Sequence, residues 1–301
     1  MEIRTVSIIG LGALGIMYGD YMSGRLPAGD LRIVADENRI IKYRKQGIYC
    51  NEKQCHFTYL TDQEENPADL LIFAVKFGQL EEAIRSVGHQ VGENTIILST
   101  LNGITSEDYL AEAFGENRVL LCTVQGMDAV KEGNQMTYHH MGYVCVGTKD
   151  GSPSPYLDAV TKFFDRIKLP YRLPEDMQRQ LWNKLLLNVG VNQAVAVYET
   201  NYGGVQKDGQ ARDTMLLAMK EVLKIAQAKK INLSDDDITN WIGVINSLDP
   251  QGKPSMRQDT QAHRSTEVEL FSGTINRLGQ EYGIATPVNE MLYRRIKEME
   301  A

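Results

Sequence analysis

Lys184, Asn188 and Asn192 stand four residues apart in Leu181-Trp182-Asn183-Lys184-Leu185-Leu186-Leu187-Asn188-Val189-Gly190-Val191-Asn192. On a helix this spacing sets the three side chains in one line along one face. Their Leu, Val, Ala and Gly neighbours predict a largely buried helix, where long polar side chains need partners. A cleft between two domains that holds a polar small molecule would supply them; the competing expectation is a stripe facing solvent. The residue types suit reduction of a ketone. Hydride arriving at a carbonyl carbon leaves negative charge on the oxygen, and a positioned general acid is worth ~10²–10⁴ in rate. An ammonium both stabilises that charge and protonates it, and burial makes it a better donor. The amides of Asn188 and Asn192 offer donors and an acceptor for orienting a hydroxy acid.

A second group of residues accounts for the hydride. Gly10-Leu11-Gly12-Ala13-Leu14-Gly15 fits GxGxxG, directly after an apolar run and at the opening of a helix. In that context the glycines allow a sharp turn and a close backbone approach to a pyrophosphate. The helix N-terminus adds free N–H groups and a positive dipole end. The bland alternative is a tight strand-helix turn without a ligand. Asp36 lies about twenty residues beyond, where an acid accepts from a ribose 2′-OH and repels a 2′-phosphate. That favours NAD(H), although Arg39 and Lys76 are cations able to neutralise a phosphate, and Asp36 would also serve as a helix N-cap. Lys76 and Asn102-Gly103 follow two further strands at the edge where doubly wound sheets bind ligands; Asn-Gly by itself is a common turn.

Ser255-Met256-Arg257-Gln258-Asp259 follows a Gly252-Lys253-Pro254 turn. Ser255 either donates to a substrate carboxylate or caps a helix. Glu267, expected in the next helix, either binds a cofactor ribose or pairs with His263. The five histidines have no ligand spacing, so no catalytic metal is expected. Cys50, Cys55, Cys122 and Cys145 form no CxxC pair and read as reduced packing thiols of a cytoplasmic protein.

These residues need a scaffold. The chain has 301 residues, 43% hydrophobic and 24% charged, enough for two packed domains rather than a disordered segment. Its net charge of -7 argues against general binding of nucleic acid or anionic membrane. No run reaches the ~18–20 apolar residues of a membrane span, and the N-terminus lacks the basic region of a signal peptide. Strands are expected at Thr5–Ile9, Leu31–Val34, Leu70–Val75, Thr95–Ser99 and Val119–Thr123. Helices alternate with them at Ala13–Ser23, Arg39–Gln46, Glu81–Val87 and Thr105–Phe114, the pattern of a parallel sheet covered on both faces. Gln135–His140 and Tyr143–Gly147 read as an antiparallel pair about Gly142, followed by helix Tyr156–Ile167 and edge strand Pro170–Leu173. Beyond Pro174-Glu175 the pattern is helical, with expected helices Met177–Tyr198, Ala211–Lys229, Asp235–Asn246, Ser265–Tyr282 and Asn289–Glu300. The expected fold is thus a Rossmann-type α/β domain over 1–174 and an all-α substrate domain over 175–301.

The combined motifs resemble the ketopantoate reductase (2-dehydropantoate 2-reductase) family over nearly the whole chain. The resemblance rests on the glycine turn, Val75-Lys76, Asn102-Gly103, Trp182-Asn183-Lys184-Leu185 with Asn188 and Asn192, and Ser255-Met256-Arg257-Gln258-Asp259 with Thr266-Glu267. It implies Lys184 as proton donor and Lys76, Asn102 and Glu267 as cofactor residues. Asn188, Asn192 and Ser255, with Lys184 and Asn102, would face the substrate. The reaction implied is NADP(H)-dependent reduction of 2-dehydropantoate to (R)-pantoate, towards pantothenate and coenzyme A. The partners implied are a small keto acid and, as assembly, a homodimer. Two departures stand out: Asp36 occupies the region where family members often carry an arginine, and Asn201 precedes the place, near Tyr202, where a further asparagine is expected. A reductase of another 2- or 3-oxo acid, and a non-catalytic dinucleotide sensor, are the alternatives; only the enzymes need Lys184.

Overall fold

The parity of side chains along four short strands organises the first half of the chain. In a computed structural model, which describes residues 1–300, β1 (Val6–Ile9), β2 (Leu31–Ala35), β3 (Tyr49–Cys50), β4 (Lys53–Gln54), β5 (Thr58–Thr61), β6 (Leu70–Phe73) and β7 (Ile96–Ser99) come first. They are followed by β8 (Leu121–Met127), β9 (Val130–Glu132), β10 (Gln135–Thr137), β11 (Met141–Gly147) and β12 (Tyr171–Arg172). A parallel sheet runs β5-β2-β1-β6-β7, with Val6 opposite both Leu31 and Leu70. Alternate residues leave on opposite faces. Val6, Ile8, Ile72 and Leu98 join one buried cluster, while Ile9, Leu71, Phe73 and Ile97 join the other. Helices α1 (Ala13–Ser23), α2 (Glu37–Gln46), α3 (Leu80–Ser86), α4 (Ser106–Phe114) and α5 (Pro155–Ile167) complete this half. Fully buried central strands explain why β6 reads as an unbroken apolar run and why β1 and β7 depart from one only at the buried Ser7 and Ser99.

Several expectations need correction. Gln135–His140 and Tyr143–Gly147 do not pair with each other. β10 pairs with β9 and β3, whereas β11 pairs with β8, Tyr143 standing opposite Gln125. β8 therefore leaves the parallel sheet after a single bridge between Val119 and Ile97 and builds a separate sheet, β12-β11-β8. Strands β3 to β5 were not anticipated; each is short, and β4 is exposed, so no apolar alternation marks them.

The chain divides into two compact units. One comprises Met1–Leu101 and Thr105–Met177; the other comprises Asn102–Ile104 and the chain from Gln178 onward. The division thus falls a few residues after 174, and the Asn102 turn sorts with the second unit. The helices from there are α6 (Met177–Leu187), α7 (Gln193–Val197), α8 (Tyr202–Gln206), α9 (Gln210–Ala228), α10 (Asp235–Ser247), α11 (Ser255–Gln261), α12 (Thr274–Tyr282) and α13 (Pro287–Glu300). The buried face of α9, with Met215, Met219, Val222 and Ala226, anchors the unit. Two expected helices are not continuous. A π-turn at Asn188–Asn192 separates α6 from α7, and a second at Glu269–Gly273 precedes α12. Thr266 and Glu267 consequently lie before the helical segment rather than within it. Gly190 allows the first π-turn to lie against α9: a Cβ there would sit 2.6 Å from Met219 Cγ. Among the described residues no helix is long and apolar enough to cross a membrane.

Candidate active site

In the first unit the candidate residues cluster at the carboxyl ends of β1, β2 and β6. Gly10 has φ +95, and a Cβ on it would lie 2.7 Å from the Ala74 carbonyl oxygen, so backbone conformation and space both demand glycine. Gly15 lies so close to the Gly10 carbonyl that no side chain fits between helix and strand. Gly12 differs. It precedes α1 as an extended N-cap, and a Cβ there would meet only Ala74 O, at 3.4 Å. The first turn of α1, through Ala13 and Leu14, carries neither a side-chain cap nor an acidic residue. An eleven-residue helix with an uncapped start can take an anion. Leu11 is buried beneath the turn.

Asp36 caps α2: its Oδ1 accepts from Arg39 N at 2.9 Å, and its Oδ2 lies 3.2 Å from Arg39 Nε. Arg39 also approaches Glu82 of α3, at 3.6 Å. Lys76 is exposed at the N-cap of a short 3-10 turn, its carbonyl accepting from Gln79 N at 2.8 Å. Beyond β7, Ser99 Oγ and Ser106 Oγ lie 2.8 Å apart, and Ser99 Oγ accepts from Leu101 N at 3.2 Å. Ser106 Oγ donates to Glu107 Oε2 at 2.8 Å. Burial pushes the Glu107 carboxyl up to about 7, against the opposing pull of the hydrogen bonds from Ser106 and Cys122 N.

In the second unit α10 sets the rotation of α6. Arg179 Nη2 donates to the buried carboxylate of Asp237 at 2.7 Å, and Trp241 Nε1 donates to Asn183 Oδ1 at 2.7 Å. With Arg179 and Asn183 held there, Lys184 is turned about 100° around the helix to another face. Lys184, Asn188 and Asn192 are 8%, 7% and 8% exposed, which removes the solvent-facing alternative. The three do not share one α-helical line, because the π-turn contains both asparagines. Asn192 Nδ2 approaches Ser255 Oγ at 3.5 Å, and Asn188 Nδ2 is buried with no hydrogen-bond partner among the described residues. Ser255, the first residue of α11, makes no capping bond; Pro254 is the N-cap. Asn102 Nδ2 donates to Glu267 Oε2 at 2.8 Å. Gly103, at φ +91, packs against Leu270 of the second π-turn, where a Cβ would lie 3.2 Å from Leu270 Cβ.

The structure therefore gathers Gly10 to Gly15, Asp36 and Lys76 on one unit, and Lys184, Asn188, Asn192, Ser255, Asn102 and Glu267 on the other. The clamp formed by Asn183 and Trp241 was not foreseen, since 58 residues separate the pair and no periodicity links them. No group of three or more potential metal ligands occurs among the described residues.

Both units match known proteins. Residues 6–151 match the family model described as ketopantoate reductase PanE/ApbA, and residues 176–300 match its C-terminal counterpart. A 2-dehydropantoate 2-reductase of Aquifex aeolicus is 27% identical over 303 residues, covering 97% of this chain and 96% of the relative. D-mandelate dehydrogenase, solved with NADH and anilino(oxo)acetate, superposes with a TM-score of 0.86 at 23% identity, covering 98% of both chains. A dimeric ketopantoate reductase from Staphylococcus aureus gives 0.81 at 20% identity, also over 98% of both. On these matches, which span both units, the chain belongs to the ketopantoate reductase family.

Proposed function

We propose that the protein reduces 2-dehydropantoate to (R)-pantoate, with Lys184 as the proton donor. The observation that carries this reading is the burial of Lys184, Asn188 and Asn192 on a helix whose Asn188 amide nitrogen has no protein partner. A buried amide N–H without an acceptor costs about 1–3 kcal/mol, and a substrate oxygen removes that cost. Asn188 and Asn192, with Ser255 Oγ beside Asn192, hold the hydroxyl and carboxylate of the keto acid. Lys184 Nζ stabilises the developing alkoxide and transfers its proton to that oxygen; the neutral amine is then reprotonated from water. Asn102 and Glu267, already joined by a hydrogen bond, act as one cofactor-facing pair.

The glycine turn fits a nicotinamide dinucleotide. Gly12 puts no side chain in the way of a pyrophosphate, and the uncapped start of α1 supplies N–H donors. When bound, the reduced nicotinamide supplies the hydride. Asp36 and Lys76 belong to the same binding surface. NADH is the preferred form on this reading, because a carboxylate follows β2 and the nearby cation, Arg39, is shared between Asp36 and Glu82. A cytoplasmic homodimer is the assembly proposed, in keeping with the dimeric relative.

The reading is tested by offering 2-dehydropantoate, an aryl 2-oxo acid and a 3-oxo acid with NADH and with NADPH, following nicotinamide absorbance. The expected result is the highest kcat/KM for 2-dehydropantoate with NADH. A higher value for the aryl acid would move the activity towards that of D-mandelate dehydrogenase, and no turnover with any acid would leave a dinucleotide sensor.

A further inference from the structure

One side chain joins the two π-turns of the second unit. Gln193, the first residue of α7, is fully buried. Its Nε2 donates to Val189 O, inside the first π-turn, at 2.8 Å. Its Oε1 accepts from the second π-turn twice, from Ser272 N at 3.2 Å and from Ser272 Oγ. The bond to Ser272 N answers a need that a π-turn creates. Such a turn breaks the i→i−4 ladder, so backbone groups within it depend on other partners. In an α-helix Ser272 N would donate to Val268 O. Here Phe271 N and Gly273 N take that oxygen, at 3.2 and 2.9 Å, and Ser272 N turns to Gln193 instead.

The two turns carry different parts of the candidate site. The first contains Asn188 and Asn192. The second follows Glu267 closely and supports Gly103, the neighbour of Asn102, on Leu270. We infer that Gln193 is a positioning residue, whose amide holds the two π-turns together and so sets Asn188 and Asn192 against the Asn102–Glu267 pair. This rests on the roles proposed above for those residues. The job needs a donor at one end of the side chain and an acceptor at the other. Methionine fills similar space with neither, and Ser272→Ala removes one of the three bonds while leaving the backbone donor in place.

Hydrogen exchange and steady-state kinetics together test the inference, with Asn192→Ala as reference. Gln193→Met and Ser272→Ala should speed amide exchange in both segments, 188–193 and 267–273. In the folded variants KM for 2-dehydropantoate should rise about tenfold and about threefold respectively, with kcat changed by less than about threefold. Faster exchange confined to the substituted segment, or an unchanged KM beside a raised KM in Asn192→Ala, would overturn the positioning role. If Gln193→Met does not fold, Ser272→Ala decides alone by the same two readouts. An unchanged KM in Asn192→Ala counts instead against the site assignment, and the exchange data then decide whether the turns are coupled.

Discussion

The glycine turn of the first unit and the polar helix of the second meet opposite demands. The turn is made of backbone. Its features are a left-handed residue, two close approaches and an uncapped helix end, and any side chain added at Gly10 or Gly15 collides with protein. The polar helix is made of side chains. Its backbone is irregular, and it brings an ammonium and two amides into surroundings that would otherwise reject them. On the proposed function the first surface takes a phosphate, whatever molecule carries it. Selectivity for one keto acid then comes from the second, where the unpartnered Asn188 amide penalises a ligand that offers it no acceptor.

Lys184→Ala breaks this comparison most sharply. It should lower kcat by ~10²–10⁴, the range lost with a general acid, while the dissociation constant for NADH stays within about threefold. Single-turnover kinetics and a fluorescence titration read the two quantities separately. A variant that keeps its wild-type rate would show that the second unit does not supply the proton.

Gly10 and Gly12 sharpen the same contrast from the other side. Gly10→Ala strains a positive φ and meets Ala74 O, so it should cost about 1–3 kcal/mol of stability, visible as a lower Tm. Gly12→Ala has room within the protein, so its Tm should change little while NADH binding weakens about tenfold as the approach to the turn narrows. Equal effects of the two substitutions on binding and on Tm would mean that Gly12 is only a packing glycine.

Legibility follows the same division. GxGxxG and the expected strands Leu70–Val75 and Thr95–Ser99 place β1, α1, β6 and β7 to within two residues, because local sequence dictates local backbone there. The spacing of Lys184, Asn188 and Asn192 marked a polar face but not the π-turn that holds both asparagines. That turn depends on Met219 packing on Gly190 and on Gln193 meeting Ser272, 79 residues away. The change of sheet at β8 was hidden likewise, since an apolar run is compatible with either neighbour and only β11 decides the pairing. Asp36 was legible as a cap or as a ribose acceptor, and the structure shows the cap.

Glu107 must be separated from Lys184 before any pH profile is assigned to the reaction. Its folded carboxyl titrates at about 7, above the ordinary glutamate value, because burial disfavours the anion. The folded protein therefore binds the extra proton more tightly than the unfolded chain does. The stability this gives is fully present below the unfolded value and is lost as pH rises through about 7, at about 1.4 kcal/mol per pH unit within that window. Wild-type Tm should fall between about pH 5 and about pH 7, and Glu107→Gln should flatten that fall. A Glu107→Gln protein with an unaltered Tm profile would place the proton elsewhere.

The smallest effect concerns the end of β2, where capping and cofactor choice fall on one side chain. Asp36→Ala removes the bond to Arg39 N and should cost about 1 kcal/mol. Asp36→Asn keeps a capping oxygen, since asparagine caps as well as aspartate, but removes the charge that a 2′-phosphate would meet. It also frees Arg39 from one of its two carboxylates. The ratio of kcat/KM for NADPH to that for NADH should then rise about tenfold in Asp36→Asn with little change in Tm, whereas Asp36→Ala changes both. An unchanged ratio in Asp36→Asn would mean that the carboxylate serves the helix alone, and that cofactor choice at this turn is made by Arg39 and Lys76.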